Sequence, residues 1–286
     1  MKKIISNYDV GSKSPLTRVL AISGGKGGVG KTNLSINLSI ALSKLGQRVM
    51  LLDADLGLAN VDVLLGLKAK KTLEDVFSNN ASLKDIFLNG PEGIKIIPSS
   101  SGSQFMANLS SAHHAGLIRA FSDISNEIDF LIVDTAAGVS SSVINFLSAS
   151  QEILLVVCDE PASITDSYAL MKILNRDCGI SSFRLVGNKI QNDIQGKSIY
   201  KRLCTVANRF LDINITHEAD IPYDKAMIDA IKKQQAVINI SPGSPSSYAI
   251  KKLAKKIISW PHKVNSNGGI EFFIESLISP NQYLEK

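Results

Sequence analysis

The sequence predicts an α/β protein built on a doubly wound, mostly parallel sheet with helices on both faces. Three observations lead there. Six apolar runs of β type recur over residues 18–189, helical patterns separate them, and a glycine-rich loop stands between the first run and the first helix. Several runs are apolar at nearly every position, as strands covered on both faces are, and such strands belong to parallel sheets. Alternation of strand and helix is the pattern of a doubly wound domain.

In order, the runs are RVLAIS (18–23), RVMLLDAD (48–55), IKIIPS (94–99), DFLIVDT (129–135), EILLVVCDE (152–160) and FRLVGNK (183–189). After the loop, Leu34, Leu38, Ala41, Leu42 and Leu45 share one helical stripe, and Gly46 stops it. SPSSYAIKKLAKKII (244–258) reads as a late helix with a Ser/Pro start. Residues 1–17 are polar and read as a flexible extension, and 18–261 form the main domain. The alternation ends near Trp260-Pro261, a polar glycine-containing link follows, and 262–286 carry a separate amphipathic tail centred on IEFFIESLI (270–278).

Composition sets the class. The chain has 286 residues, 44% hydrophobic and 20% charged, as a globular protein has. No run reaches the ~18 apolar residues of a membrane span, and MKKIISNYDVGSKSP lacks the apolar core of a signal peptide. Three distant cysteines with no CxxC pair indicate neither a zinc site nor a disulfide framework, and the expected location is the cytoplasm. A net charge of +5 does not by itself select nucleic acid or membrane.

The chemistry is concentrated in Gly25-x-x-x-x-Gly30-Lys31-Thr32, a Walker A pattern in its required strand–loop–helix setting. Glycines let the loop wrap so that backbone N–H groups face phosphate oxygens, and the helix N-terminus adds partial positive charge. Gly25, Lys26, Gly27, Gly28, Val29, Gly30, Lys31, Thr32 and Asn33 are the expected nucleotide contacts. Lys31 is placed on the β- and γ-phosphates of ATP and the Thr32 hydroxyl on Mg²⁺. Asp53 and Asp55 end the second strand, where ligands of open α/β sheets sit. LIVDTAAG (131–138) has the form of a Walker B strand, with Asp134 expected to hold Mg²⁺ through water.

A second lysine, Lys26, makes the loop KGGVGKT (26–32). This is similar to the deviant Walker A motif of the MinD/ParA family of P-loop ATPases. The resemblance extends over 18–262 and points to the FleN (FlhG) branch of flagellar number regulators. It is carried by VMLLDADLGLANVDVLLGL (49–67), HHAGLIRAFSDIS (113–125), VDTAAGVSSSV (133–143) and LLVVCDEPASITDSYALMKILNRD (154–177), with IPYD (221–224) and SWP (259–261). It implies slow, regulatory ATP hydrolysis and a homodimer closed around ATP. It implies that Lys26 acts on the partner's nucleotide, that Asp53 is a Mg²⁺ and lysine partner, and that Asp55 positions the attacking water. Asn188 would bind the adenine edge, and Pro222, with Tyr223 and Asp224, would lie against the base. The implied partners are a FleQ-type AAA+ activator, whose restraint limits flagellar number, and the GTPase FlhF. Residues 1–17 lack the DQAxxLR-type segment through which relatives stimulate FlhF.

The tail resembles the family's C-terminal amphipathic helix. Phe272, Phe273, Leu277 and Ile278 lie on its apolar face, which either enters an anionic membrane surface near the cell pole or packs on the protein. Glu271 and Glu275 on the polar face are unlike a typical membrane-surface helix. Lys251, Lys252, Lys255 and Lys256 read as a solvated helix face, so direct DNA binding is not expected. His113 and His114 have no ligand-spaced partners and receive no role. A MinD- or partition-type positioning ATPase is the alternative function, and a metabolic P-loop enzyme ranks after it.

Overall fold

The computed structural model describes residues 17–55, 60–77, 80–98, 120–261 and 270–278. Eight strands form one sheet: β1 (Arg18–Ser23), β2 (Val49–Ala54), β3 (Leu88–Asn89), β4 (Lys95–Ile97), β5 (Phe130–Thr135), β6 (Glu152–Val157), β7 (Ser182–Ile190) and β8 (Asn214–Pro222). Their spatial order is β3-β4-β2-β5-β1-β6-β7-β8. All pairings are parallel except β3 with β4.

Helices cover both faces, as the continuous apolar runs required. One face carries α1 (Lys31–Lys44), α2 (Val61–Leu64), α8 (Lys225–Lys232), α9 (Val237–Ile240) and α10 (Pro245–Ile258). The other carries α3 (Leu73–Phe77), α4 (described over 120–125), α5 (Ser141–Ala149), α6 (Pro161–Cys178), α7 (Asp193–Phe210) and α11 (Ile270–Ile278). Alternation along β1 divides the core. Val19 and Ala21 enter the α5–α7 side, and Leu20 and Ile22 enter the α1–α10 side.

Four expectations are revised. First, α1 does not bury a single stripe. Residues from Leu34 through Leu42 are all buried, because α10, α9 and α2 cover its outer surface, whereas Leu45 is partly exposed. Secondly, β8 and the short β3 join the six expected strands. The middle of β8 reads THEAD because it tolerates charge there: Glu218 is buried by pairing with Arg184 and with Lys256 at 2.8 Å. Thirdly, Lys256 therefore does not lie on a freely solvated stripe with its neighbours. Fourthly, the tail helix is not apart from the domain. Phe273, Ile274 and Leu277 belong to the main core, with Phe273 stacked on Phe146 of α5 at a centroid distance of 6.3 Å. Phe273 and Leu277 are thus covered by protein here, while the side chains of Phe272 and Ile278 lie outside the described residues. The expected extension also lies outside them except for Thr17, which is buried with its hydroxyl donating to Ser125 and Ile128 carbonyls. So do His113 and His114.

Candidate functional site

The site forms where the sheet changes its winding. From β1 the sheet runs outward through β5, β2 and β4 on one side and through β6, β7 and β8 on the other. Ligands of such sheets bind beyond the carboxyl ends of the strands at this point. The loop 24–30 stands there and leads into α1, with Gly30 as N-cap at φ 97°. Gly28, at φ 77°, and Gly30 take left-handed conformations that side chains rarely adopt. Gly25 answers a different constraint. A Cβ there would fall 2.1 Å from the Asp166 carbonyl carbon, because α6 lies directly against the loop.

Behind the loop is a buried cluster of opposite charges. Asp53 on β2 and Asp134 on β5 are register partners on adjacent strands, and each is 1% exposed. Asp53 accepts backbone N–H groups from Asp55 and Asn60, both at 3.1 Å, and from Val61 at 3.2 Å. It therefore pins both ends of the segment 55–61. Burial pushes its carboxyl up to about 6 against those hydrogen bonds. Burial pushes Asp134 up to about 7, and hydrogen bonds from Thr32 and from Ser35 Oγ at 2.8 Å oppose the shift. Lys31 is buried too, which lowers its pKa, while the charges of Asp134 and Asp55 act to raise it.

These residues fit a hard divalent cation. The donors that converge, the Thr32 hydroxyl and the Asp134 carboxylate, are oxygens, and Asp134 sits buried at a cost that a nearby cation would offset. Asp53 is placed less as a metal ligand than as the anchor of its own loop, since three backbone donors occupy its oxygens. The loop after β5 reaches the phosphate loop directly: Gly138 N–H donates to the Gly24 carbonyl at 3.2 Å.

Beside the loop opens a cavity of about 280 Å³. Its walls are Leu34, Ile221, Pro222, Met227, Ile228, Ile231 and Ile250, and Gly30, Asn33, Asn188, Lys189, Tyr223 and Asp224 supply the polar and rim positions. An apolar slot with a few polar groups suits a flat heterocycle. Asn188 lines it as expected, but its amide donates to the Val29 carbonyl at 2.7 Å, so in this state the donor serves the loop. Pro222 closes β8, and Tyr223 is 54% exposed at the mouth. Asp224 is committed structurally. It caps α8 and accepts from Ser246 N–H and Oγ, at 3.0 and 2.6 Å. Burial works against its ionisation, but these hydrogen bonds outweigh it and lower the pKa.

Lys26 stands apart from this cluster. It is 38% exposed and pairs with Glu160, the N-cap residue of α6, whose carboxylate raises its pKa. Gly27 and Gly28 are exposed beside it, and a Cβ on Gly27 would meet nothing. Asp55 follows β2 half-buried. Sequence reasoning missed three participants: Glu160, the α6 wall at Asp166, and Lys189. Lys189 has φ 57° and donates from Nζ to the Gly28 carbonyl at 2.9 Å. Its position beside Asn188 was the only available signal.

Comparison with known proteins bears on the family and the fold. A family model described as an AAA domain matches residues 17–177. The chain is 53% identical over 269 residues to the antiactivator FleN of Pseudomonas aeruginosa, covering 94% of this chain and 96% of that protein. It is 31% identical to the flagellum site-determining protein YlxH of Helicobacter pylori, covering 85% and 82%. Among solved structures, the septum site-determining protein MinD of Pyrococcus horikoshii, complexed with Mg-ADP, superposes with a TM-score of 0.70 at 24% identity. That match covers 85% of this chain and 97% of the other and concerns the fold.

Proposed function

This chain belongs to the MinD/ParA family of P-loop ATPases, on its FleN branch, and from that premise we propose that it is an ATP-switched antiactivator that pairs with a second copy around ATP and restrains a FleQ-type AAA+ activator of flagellar genes. In this reading the residues divide the work as follows. The loop amides and Lys31 hold the phosphates. Thr32 and Asp134 would hold Mg²⁺, which when bound neutralises phosphate charge. Asp53 fixes the segment that carries Asp55, so that Asp55 can orient the attacking water. Asn188, Pro222 and Tyr223 border the slot for the base.

The observation that carries the dimer is the separation of the two lysines. Lys31 is buried in its own phosphate site, whereas Lys26 sits on the outer edge of the loop and is held by Glu160. A cation so placed is available to a phosphate group presented by another copy. ATP between two copies favours the pair by mass action, and hydrolysis reverses it. The flagellar role is supported by 53% identity running through nearly the whole chain. FlhF and an anionic membrane surface are further partners, the latter requiring α11 to leave its seat on α5.

Two experiments test this reading. An ATP-dependent pull-down against a FleQ-type activator should succeed with the parent chain and fail with Lys31→Ala. Asp55→Ala with saturating ATP should elute as a stalled dimer in size-exclusion chromatography. A monomeric Asp55→Ala protein would sink the switch assignment, and retention of Lys31→Ala by the activator would sink its nucleotide dependence.

A further inference from the structure

On the α1–α10 face, well away from the phosphate loop, lies a second hollow of about 320 Å³. Its floor is apolar, from Ala41, Leu45, Ile238 and Tyr248, and its rim consists of Lys44, Lys251, Lys252 and Lys255. Lys44 is the last residue of α1, and the phosphate loop adjoins the first. A helix of this length puts about 20 Å between the two sites. We propose that this hollow is a docking site for an acidic segment of a partner protein that inserts one apolar side chain between the lysines.

Two features select that occupant. The first is unspent charge. Lys44 pairs with Glu92 at 3.2 Å, and Lys251 donates to the Pro242 carbonyl at 2.6 Å. Lys252 and Lys255 are exposed and form no hydrogen bond or ion pair with the described residues. Glu92 offsets Lys44, which leaves Lys251, Lys252 and Lys255 as three like charges with no carboxylate partner among the described residues, and these attract carboxylates and repel basic surfaces. The second is the floor. Tyr248 is 70% exposed and Leu45 38% exposed, beside fully buried Ile238. An accessible tyrosine next to an apolar recess is the composition of a protein-binding hot spot.

The same features disfavour the other polyanions. A duplex offers phosphates but nothing apolar for the floor. Lys256, which would lengthen a phosphate-tracking stripe, is turned away to Glu218 and to the carbonyls of His217 and Glu218. A bilayer is flat where this site is concave. Moreover, α11 lies on the opposite face of the sheet, so the two cannot meet one membrane together.

The test uses the full chain and a fluorescent library of peptides of about 12 residues built from Glu, Gln, Ser, Leu and Phe. Parallel arms use a DNA duplex and phosphatidylglycerol vesicles. Selection should enrich Glu on both sides of a single Leu or Phe. The selected peptide should bind at least about tenfold more weakly to Lys252→Glu/Lys255→Glu and to Tyr248→Ala, with ATP hydrolysis unchanged. Loss of binding on replacing its Glu by Gln would confirm the charge requirement. Selection without an acidic preference overturns the proposal. So does undiminished binding by the lysine variant, or capture of duplex or vesicles that the same substitutions abolish while no peptide is selected. Because the variants lie outside the nucleotide site, failure here leaves the ATPase reading standing.

Discussion

Replacing Phe273 by Ala should detach the tail helix. The ring is fully buried and stacks on Phe146, itself 5% exposed. Truncating a buried phenylalanine removes about 3–5 kcal/mol of packing. Each 1.4 kcal/mol is about a tenfold change in an equilibrium, so the ratio of docked to undocked tail should fall more than about a hundredfold. Amide hydrogen exchange of residues 270–278 measures that ratio directly. Protection there should collapse, while protection in β1 and β5 stays at parental values. Glu275→Ala is the control, since Glu275 is exposed on the same helix and its loss should change nothing. Phe146→Ala should reproduce the effect from the other side. The double variant should fall short of the sum by the ring coupling of about 0.5–1.5 kcal/mol. Parental protection of 270–278 in Phe273→Ala would refute the packing argument.

Three further outcomes are expected. Gly25→Ala should destabilise the chain by about 1–3 kcal/mol or prevent folding, because its Cβ would overlap the α6 backbone. Gly27→Ala meets only open space and should melt within a few degrees of the parent, and equal melting of the two would contradict the steric reading. Asp134→Asn should stabilise the nucleotide-free chain while abolishing Mg²⁺-dependent hydrolysis. The sign follows from linkage. The carboxyl is raised from 3.8 to about 7, so the folded form binds more protons and loses stability as pH rises between those values. The melting-temperature advantage of the variant should therefore grow from about pH 4 to about pH 7 and stay level above; a constant advantage across that range would reject the burial argument. Glu160→Gln removes the charge partner of Lys26. In analytical ultracentrifugation with ATP it should dimerise at lower protein concentration than the parent, and a weaker dimer would show that Glu160 serves the interface itself.

Much of the molecule was legible because its signals are local. The buried parallel strands announce themselves as uninterrupted apolar runs, and the phosphate loop depends on neighbours in sequence. Asp53 and Asp134 were readable as strand-end acids, but not as register partners, since pairing of β2 with β5 joins residues about 80 positions apart. β8 was hidden by His217 and Glu218; the burial of Glu218 is explained only by Arg184 and Lys256 on other elements, and His217 is half-buried beside Asp220. Asn188 illustrates the same limit. Its type and strand-end place suggest a base contact, but nothing local says that its amide reaches across to Val29. The tail was ambiguous for a physical reason: an apolar helical face states that it must be covered and does not state by what.

The enclosure of α1 has a consequence for how binding free energy is used. A helix buried from Leu34 through Leu42 by sheet, α10, α9 and α2 resists rotation and sliding. Its first turn carries Lys31 and Thr32, and the loop before it is wedged against α6 and bonded through Asn188 and Lys189. The phosphate cradle is thus preorganised, and little of the ligand's interaction is consumed in ordering it. What the triphosphate contributes is left for groups at the rim of the cradle, above all Lys26, whose pairing with Glu160 is solvent-accessible.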